Sequence, residues 1–144
     1  MNLDDRIIKL KEDFNQFKDW EEKYKYIISL GKDLAALNED YRVDENKVKG
    51  CQSQVWLFPE VKEGRIYFQA DSDASIVKGI ISLLLSVYSD AEPSEILATS
   101  PEFLKDIGLA EHLSMSRANG LNSMMKQISL YALAIKTKID MGLI

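Results

Sequence analysis

The chain has one cysteine, Cys51, and one histidine, His112, among its 144 residues. A lone cysteine cannot close an internal disulfide, and a free thiol suits a reducing compartment. One cysteine and one histidine are also too few for a zinc or iron–sulfur centre, which needs several soft or imidazole ligands. A metal-cluster scaffold therefore fails on ligand count, and metal analysis of the purified protein would test this.

Basic residues are outnumbered by acidic ones, 18 against 23, which gives a formal net charge of −5. Such a chain is a poor partner for nucleic acid or an anionic membrane. The longest apolar stretch, "GIISLLLSV", is too short to span a bilayer. The start, "MNLDDRIIKLKEDF", is charged and has no apolar signal region. We therefore expect a cytoplasmic protein that binds neither nucleic acid nor membrane.

Glycine is scarce, and the spacing of Gly50, Gly64 and Gly79 fits no phosphate-binding loop. We expect no cofactor. The first third of the chain instead shows apolar residues at steps of three and four, which predicts helix. A second helix begins at "DWEE", where a capping box is predicted, and Gly31 is a natural place for it to end.

The middle of the chain changes to β-branched and aromatic residues. "QVWLF" and "RIYFQA" predict two strands, and "PEVKEG" between them contains Pro59 and Gly64, which indicates a hairpin. "NKVKG" can add a short third strand at the edge. From Ser72 the pattern is helical again, with Ser72 or Asp73 as the cap, and this helix is apolar over most of its girth.

The last third predicts two short helices that begin at Pro93 and Pro101, and a long helix opened by Ser114. The expected fold class is therefore α+β, with a small antiparallel sheet of about three strands packed against several helices. We expect one domain over residues 1–144. Met115, Met124 and Met125 lie at helical spacing and are read as core residues.

Two candidate sites have plain structural interpretations. His112 has no partner at ligand spacing, so a packing or surface histidine is favoured over a catalytic one. "DSD" at 71–73 lacks the rest of a calcium loop, so a helix cap is favoured.

Cys51 is the remaining candidate, although a single cysteine is by default a small inert hydrophobe. Gly50 before it indicates a loop, and the polar run that follows it, 52–54, does not resemble a core strand. Lys47 and Lys49 are close enough in sequence to favour thiolate over thiol. A nucleophile without base, metal or cofactor is better suited to carrying a group than to completing a reaction.

Four segments carry a resemblance to a known family. They are "WEEKYKYIISLGKDL" at 20–34, "GCQSQVW" at 50–56, "ADSDASIVKG" at 70–79 and "HLSMSRANGL" at 112–121. In this order and at these separations the chain resembles the SufE family over nearly its whole length. It departs from the family at Ala70, where glycine is common, and at Met115, where proline is common.

The resemblance implies a SufE/IscU-like fold and a sulfur acceptor that has no turnover of its own. Cys51 would take persulfide sulfur from a pyridoxal-phosphate-dependent, SufS-like cysteine desulfurase, stimulate that enzyme, and pass the sulfur to a SufBCD-like iron–sulfur scaffold complex. A homodimer stays open. The alternatives are a CsdE-type acceptor for a related desulfurase, and an interaction module with an inert cysteine, which rapid alkylation of native Cys51 would argue against.

Six residues are expected to support the thiol, as loop or interface residues. They are Gly50, Gln52, Trp56, Asp71, Asp73 and Arg117. Val55, Trp56 and Leu57 either cover the loop with apolar surface or serve only to pack the sheet. Asp71 and Asp73 are expected to order the next helix and the neighbouring loop, and Arg117 to pair with one of them. The loop is expected to hold the thiol in two positions, tucked and extended.

Overall fold

The computed structural model describes residues 2–144 and contains, within them, six α-helices and one two-stranded antiparallel sheet. The elements in chain order are α1 (Leu3–Asn15), α2 (Trp20–Lys32), β1 (Val55–Lys62), β2 (Arg65–Ser72), α3 (Ser75–Tyr88), α4 (Pro93–Ala98), α5 (Glu102–Asp106) and α6 (Met115–Asp140). Short 3-10 turns lie at 39–41, 44–46 and 110–112. The α+β prediction is confirmed.

Polar side chains cap the helix starts largely as the sequence predicts. The carboxylate of Asp19 accepts a hydrogen bond from the backbone N–H of Glu22 at 2.9 Å. Glu22 reaches back one residue further than predicted, to the N–H of Lys18. Ser114 caps α6 by accepting from the N–H of Arg117. Each bond satisfies a backbone donor that the first helical turn leaves unpaired.

Gly31 does not end α2, so that prediction was wrong. The helix continues to Lys32, and Gly31 is buried where α2 crosses α3. A Cβ at Gly31 would lie 2.7 Å from the backbone nitrogen of Gly79, and a Cβ at Gly79 would overlap the carbonyl of Ile27. The two glycines therefore let the helix backbones approach closely, a role that sequence spacing alone did not reveal.

The predicted hairpin is present, but its turn differs from the prediction. Pairing runs from Val55 opposite Ser72 to Lys62 opposite Arg65. Pro59 therefore lies within β1, and the turn is Glu63–Gly64, with φ of 51° and 77°. Two consecutive residues with positive φ are typical of the tight turns that match strand twist.

The predicted third strand is reduced to one bridge. Lys47 pairs with Trp56, and the N–H of Val48 donates to the carbonyl of Val55 at 2.8 Å. The chain then turns away at Gly50, so pairing cannot extend. The described residues thus form a sheet of two strands rather than about three.

A strap formed by residues 38–42 covers the outer face of the hairpin. Tyr41 stacks on Phe58 with ring centroids 3.9 Å apart. The guanidinium of Arg42 lies 4.7 Å from the ring centroid of Trp56. Both faces of the small sheet are therefore covered, one by the strap and one by the helices.

The core lies between the inner face of the hairpin, α3 and α6. α3 is buried over most of its girth, as predicted. The buried apolar residues of α6 are Leu121, Met124, Ile128, Ala132 and Ile135. The α3 cap differs, because Ala74 occupies the cap position and Ser72 Oγ only accepts from the N–H of Ala74. Pro93 opens α4, and Pro101 precedes α5.

Within residues 2–144, no helix combines the length and the apolar character that a bilayer crossing would require.

Candidate functional site

Cys51 lies in the loop between Lys47, which forms the bridge to Trp56, and Val55, the first residue of β1. Its side chain is half-buried and turns toward α6. The Sγ atom lies 3.6 Å from the carbonyl oxygen of Gly120, to which the thiol donates a weak hydrogen bond. The structure thus has the thiol in the tucked position, and the extended position stays a prediction.

Gly50 sets the direction of the loop. Its φ is +89°, a conformation that residues with a Cβ rarely adopt. A Cβ at this position would also lie 2.5 Å from Ser123 Oγ on α6. Glycine is therefore required here for both the backbone conformation and the close packing against α6, which gives the predicted loop residue a definite role.

A cavity of about 320 Å³ opens beside the thiol. Its apolar lining is Val55, Val77, Ile80 and Met124, and its polar lining is Gln52, Ser53, Ser114, Ser116 and Arg117, with Cys51 and Gly120 between. The cavity leaves room beside Sγ for a small group, against a partly apolar wall. Gly120 contributes by leaving open the space that a side chain would occupy 3.5 Å from Sγ.

The surroundings of the Cys51 thiol favour its protonated form. Burial raises the pKa of Cys51, because the apolar lining disfavours the thiolate. The nearby carbonyl of Gly120 also accepts from a thiol but repels a thiolate. Lys47 is paired with Asp44 at 3.1 Å, and Lys49 lines a different groove. The expectation that these lysines favour thiolate was therefore wrong for the resting protein.

Asp73 fastens the end of the Cys51 loop. Its carboxylate accepts from the N–H of Gln54 at 3.0 Å, and its own N–H donates to the carbonyl of Gln54 at 3.4 Å. Asp73 therefore orders the loop as the sequence analysis expects. Gln52 is exposed and lies at the cavity mouth.

Asp71 is held by a different set of charges from those expected. Arg42 donates to its carboxylate at 2.7 Å, and Lys78 Nζ lies at 3.5 Å. Burial opposes ionisation of Asp71, but hydrogen bonds from Arg42 and the Ser72 N–H, together with the two cations, outweigh it and lower its pKa. Asp71 therefore ties the strap to the hairpin and to α3.

Arg117 forms no ion pair with Asp71 or Asp73 within the part of the chain that the structure describes, so the predicted pairing was wrong. The reason is position. Asp71 is already engaged by Arg42 and Lys78, and Arg117 stands on the first turn of α6 at the mouth of the Cys51 cavity. Arg117 lines the same cavity as Cys51.

Trp56 lies on the other side of the strand from the thiol. Alternation along a strand directs successive side chains to opposite faces, so Val55 lines the cavity and Trp56 faces the strap. Arg42 and Lys47 approach its ring at 4.7 and 5.8 Å. Leu57 belongs to the core. Of these three residues, only Val55 covers the loop.

His112 has a packing role, as favoured. Its ring stacks on Trp20 with centroids 4.0 Å apart, and Nδ1 lies 2.9 Å from the carbonyl oxygen of Gly108. Met124 is buried as expected, but Met115 is 81% exposed at the start of α6, so reading it as a core residue was wrong. Across residues 2–144, no group of three acidic, histidine or cysteine side chains comes together as metal ligands.

Three residues of the site were missed by sequence reasoning. Gly120 and Ser123 lie on α6 and contact Cys51 and Gly50, while Arg42 holds Asp71. The available signal for Gly120 was a glycine inside a long helix, as in "RANGL". Glycine lowers helix stability, so its presence there indicates that another group approaches the helix closely. Nothing local marks Ser123 or Arg42.

The comparisons with known proteins agree with this geometry. The SufE family, described as an Fe–S metabolism associated domain, matches residues 8–132. A SufE-like protein of Rhizobium etli is 47% identical over 129 residues, which cover 86% of this chain and 85% of that protein. A SufE-like protein of Rhizobium meliloti is 42% identical, with 86% and 90% covered.

A solution structure of a hypothetical protein from Thermus thermophilus has the same fold. The TM-score is 0.77, with 92% of this chain and 96% of that chain covered. At 19% identity this likeness concerns the fold alone. The family match and the two relatives carry the assignment: this chain belongs to the SufE family, whose role is sulfur transfer in iron–sulfur metabolism.

Proposed function

We propose that Cys51 is a sulfur carrier. It accepts sulfane sulfur from a pyridoxal-phosphate-dependent, SufS-like cysteine desulfurase and delivers it to a SufBCD-like iron–sulfur scaffold complex. The observation that carries the proposal is the position of the only thiol at the edge of a partly apolar cavity, with Sγ 3.6 Å from the Gly120 carbonyl. The cavity has room for the added sulfur.

The transfer step is a thiol–persulfide exchange. The Cys51 thiolate attacks the outer sulfur of the donor's persulfide, R–S–SH. A bond forms between Cys51 Sγ and that outer sulfur, and the donor's S–S bond breaks with its electron pair going to the inner sulfur. The products are Cys51–S–SH and the donor thiolate. No external oxidant or reductant is consumed.

The resting thiol is poorly prepared for this attack. Its pKa is raised by burial, and the carbonyl of Gly120 favours the protonated form. We propose that the desulfurase draws the loop outward, so that Cys51 leaves the cavity and loses its proton in the donor site. The loop turns at Gly50, whose φ is +89°, and the Asp73–Gln54 pair is its fixed end.

The cavity then shields the sulfur during transit. A persulfide in water is exposed to reductants and oxidants. Returning to the tucked position places it among Val77, Ile80 and Met124. Arg117 at the mouth offers a cation to an anionic persulfide, which limits the cost of leaving water.

We propose that the protein has no catalytic turnover of its own and acts by resetting the desulfurase. The test is desulfurase turnover with cysteine, with and without this protein, under low reductant. The parent protein should raise turnover, and Cys51→Ser should bind without raising it, because a hydroxyl cannot hold sulfane sulfur. Equal turnover with the parent and with no added protein would contradict the proposal.

A further inference from the structure

A second groove lies on the far side of the Cys51 loop. We call it the lysine groove, and it has a volume of about 390 Å³. It is lined by Glu45, Lys47, Lys49, Ser123, Lys126, Gln127, Leu130 and Tyr131. None of these residues has a part in the sulfur step described above.

The lysine groove is basic in an acidic protein. Lys47 is neutralised by Asp44, but Lys49 and Lys126 have no ion-pair partner within residues 2–144. Both side chains are exposed. The chain as a whole has a net charge of −5, so these two lysines form a local positive patch that attracts an acidic surface.

The groove is joined to the thiol site through α6. Gly120 contacts Cys51, and Ser123, which lines the lysine groove, contacts Gly50. These two α6 residues are separated by about one helical turn, roughly 5 Å along the axis. A protein that covers the thiol therefore also reaches the lysine groove.

An apolar side chain lies on the groove wall. Leu130 is 49% exposed, and Tyr131 lines the groove beside it while its hydroxyl donates to the carbonyl of Leu57. Cations together with an exposed leucine fit a peptide segment with acidic and apolar side chains better than a small inorganic anion. Glu45 offsets one of the lysines, and because Lys49 and Lys126 are both unpaired in the described part of the chain, the groove keeps a net positive charge.

We propose that the lysine groove is a docking site for an acidic segment, carrying an apolar side chain, on the protein that donates sulfur to Cys51. The inference rests on the proposed carrier function. The donor is favoured over the sulfur-accepting scaffold because the donor is the partner proposed to draw the Cys51 loop outward, and Ser123 of the lysine groove meets Gly50, the residue at which that loop turns.

The test compares two double variants with the same change in charge. Lys49→Glu/Lys126→Glu alters the groove. Lys105→Glu/Lys138→Glu alters two exposed lysines on other surfaces. The association rate constant with the cysteine desulfurase is measured at low and at high salt. At low salt the groove variant should associate roughly tenfold more slowly than the parent protein. At high salt this difference in association rate constant should become smaller. The control variant should associate at the parent rate at both salt concentrations.

A second pair of variants changes apolar side chains and tests the groove even if the lysine variant does not fold. Leu130→Ala should weaken desulfurase binding, whereas Leu133→Ala, which is 53% exposed but outside the groove, should not. Transfer from a small-molecule polysulfide to Cys51 should proceed at the parent rate in every folded variant, because that donor needs no docking site.

The outcomes separate the two proposals. Equal association of groove and control variants, while the parent accepts sulfur from the desulfurase, overturns the groove assignment alone. The groove assignment is also overturned if the groove variant binds the desulfurase normally but delivers sulfur to the scaffold more slowly, because the groove would then serve the acceptor. Groove-dependent, saturable binding of inorganic phosphate with unchanged desulfurase association overturns it as well. A parent that accepts no sulfur from the desulfurase overturns the carrier function and the groove assignment with it.

Discussion

Asp73 and Gln54 are joined by two hydrogen bonds, one from each backbone N–H, at 3.0 and 3.4 Å. The β1–β2 ladder ends at the Val55–Ser72 pair, so this contact extends the pairing by one residue. The C-terminal end of the Cys51 loop is therefore held at Gln54. Its fixed end depends on one carboxylate, and its other end on a glycine.

Asp73→Ala should loosen the loop and expose the thiol. The change removes one exposed hydrogen bond, worth about 0.5–1.5 kcal/mol, which corresponds to a roughly two- to tenfold rise in the population of open loop. The rate of Cys51 alkylation in the native protein should rise by that factor. The measurement is iodoacetamide labelling followed by mass spectrometry.

Asp4→Ala is the matched control, because it also removes one exposed carboxylate but lies on α1. It should leave the alkylation rate unchanged. If both variants label at the parent rate, the Asp73–Gln54 contact does not restrain the loop.

The pH dependence of alkylation should be displaced upward. Burial raises the pKa of Cys51 above its ordinary value, so the folded protein keeps the thiol proton in a pH range where the unfolded chain has lost it. The stability contributed by the buried thiol is accordingly complete below the ordinary thiol pKa and is lost as pH rises through the raised value. In Cys51→Ser the free energy of unfolding should lose the part of its pH dependence that comes from the thiol.

The measurement is the alkylation rate against pH for the native and the urea-unfolded parent protein. The native midpoint should lie above the unfolded one. A native midpoint below the unfolded one would mean that an activating charge reaches the thiol, in contradiction to the burial described above.

Gly50→Ala should cost more stability than Gly64→Ala. Both glycines have positive φ, so each substitution brings backbone strain of about 1 kcal/mol or more. Only Gly50 has a neighbour, since a Cβ there meets Ser123 Oγ at 2.5 Å, whereas Gly64 has nothing within 4 Å. Urea unfolding of the two variants measures the difference.

Adding Ser123→Ala to Gly50→Ala should recover part of the loss, because the steric overlap is relieved and the strain remains. Equal costs for Gly50→Ala and Gly64→Ala, with no recovery in the double variant, would show that α6 does not press on the loop.

Gly79→Ala should destabilise the fold by about 1–3 kcal/mol or more, because the methyl group would overlap the Ile27 carbonyl and force α2 away from α3. Gly142→Ala is the control, since it has open space around it and reports only the strain of its positive φ. Thermal unfolding compares the two. A Gly79→Ala variant as stable as the parent would show that the helices are not in backbone contact.

Local patterns in the sequence were sufficient to predict much of the fold. Helical periodicity predicted α3 and its apolar girth, and the caps at Asp19 and Ser114 could be predicted because capping depends on neighbouring residues. The role of Gly31 was not readable, since a glycine that ends a helix and one that admits a neighbouring helix look the same in one sequence. The missing third strand depended on the turn at Gly50, which α6 helps to fix.

For the site, sequence reasoning identified Cys51 and the loop around it, and the structure supplied the surroundings. The protonation of the thiol could not be predicted, because it depends on burial against α3 and α6 rather than on lysines nearby in sequence. Arg117 and Asp71 are separated by 46 positions, and which partner each one meets is decided by packing. The strap residue Arg42 was missed for the same reason.

The most direct test of the central claim is mass spectrometry of this protein after incubation with a cysteine desulfurase and cysteine, followed by peptide mapping. The protein should gain the mass of one sulfur atom, the added sulfur should map to Cys51 and be removed by reductant, and Cys51→Ser should gain none. An unmodified Cys51 after desulfurase turnover, or equal sulfur uptake by Cys51→Ser, would contradict this claim.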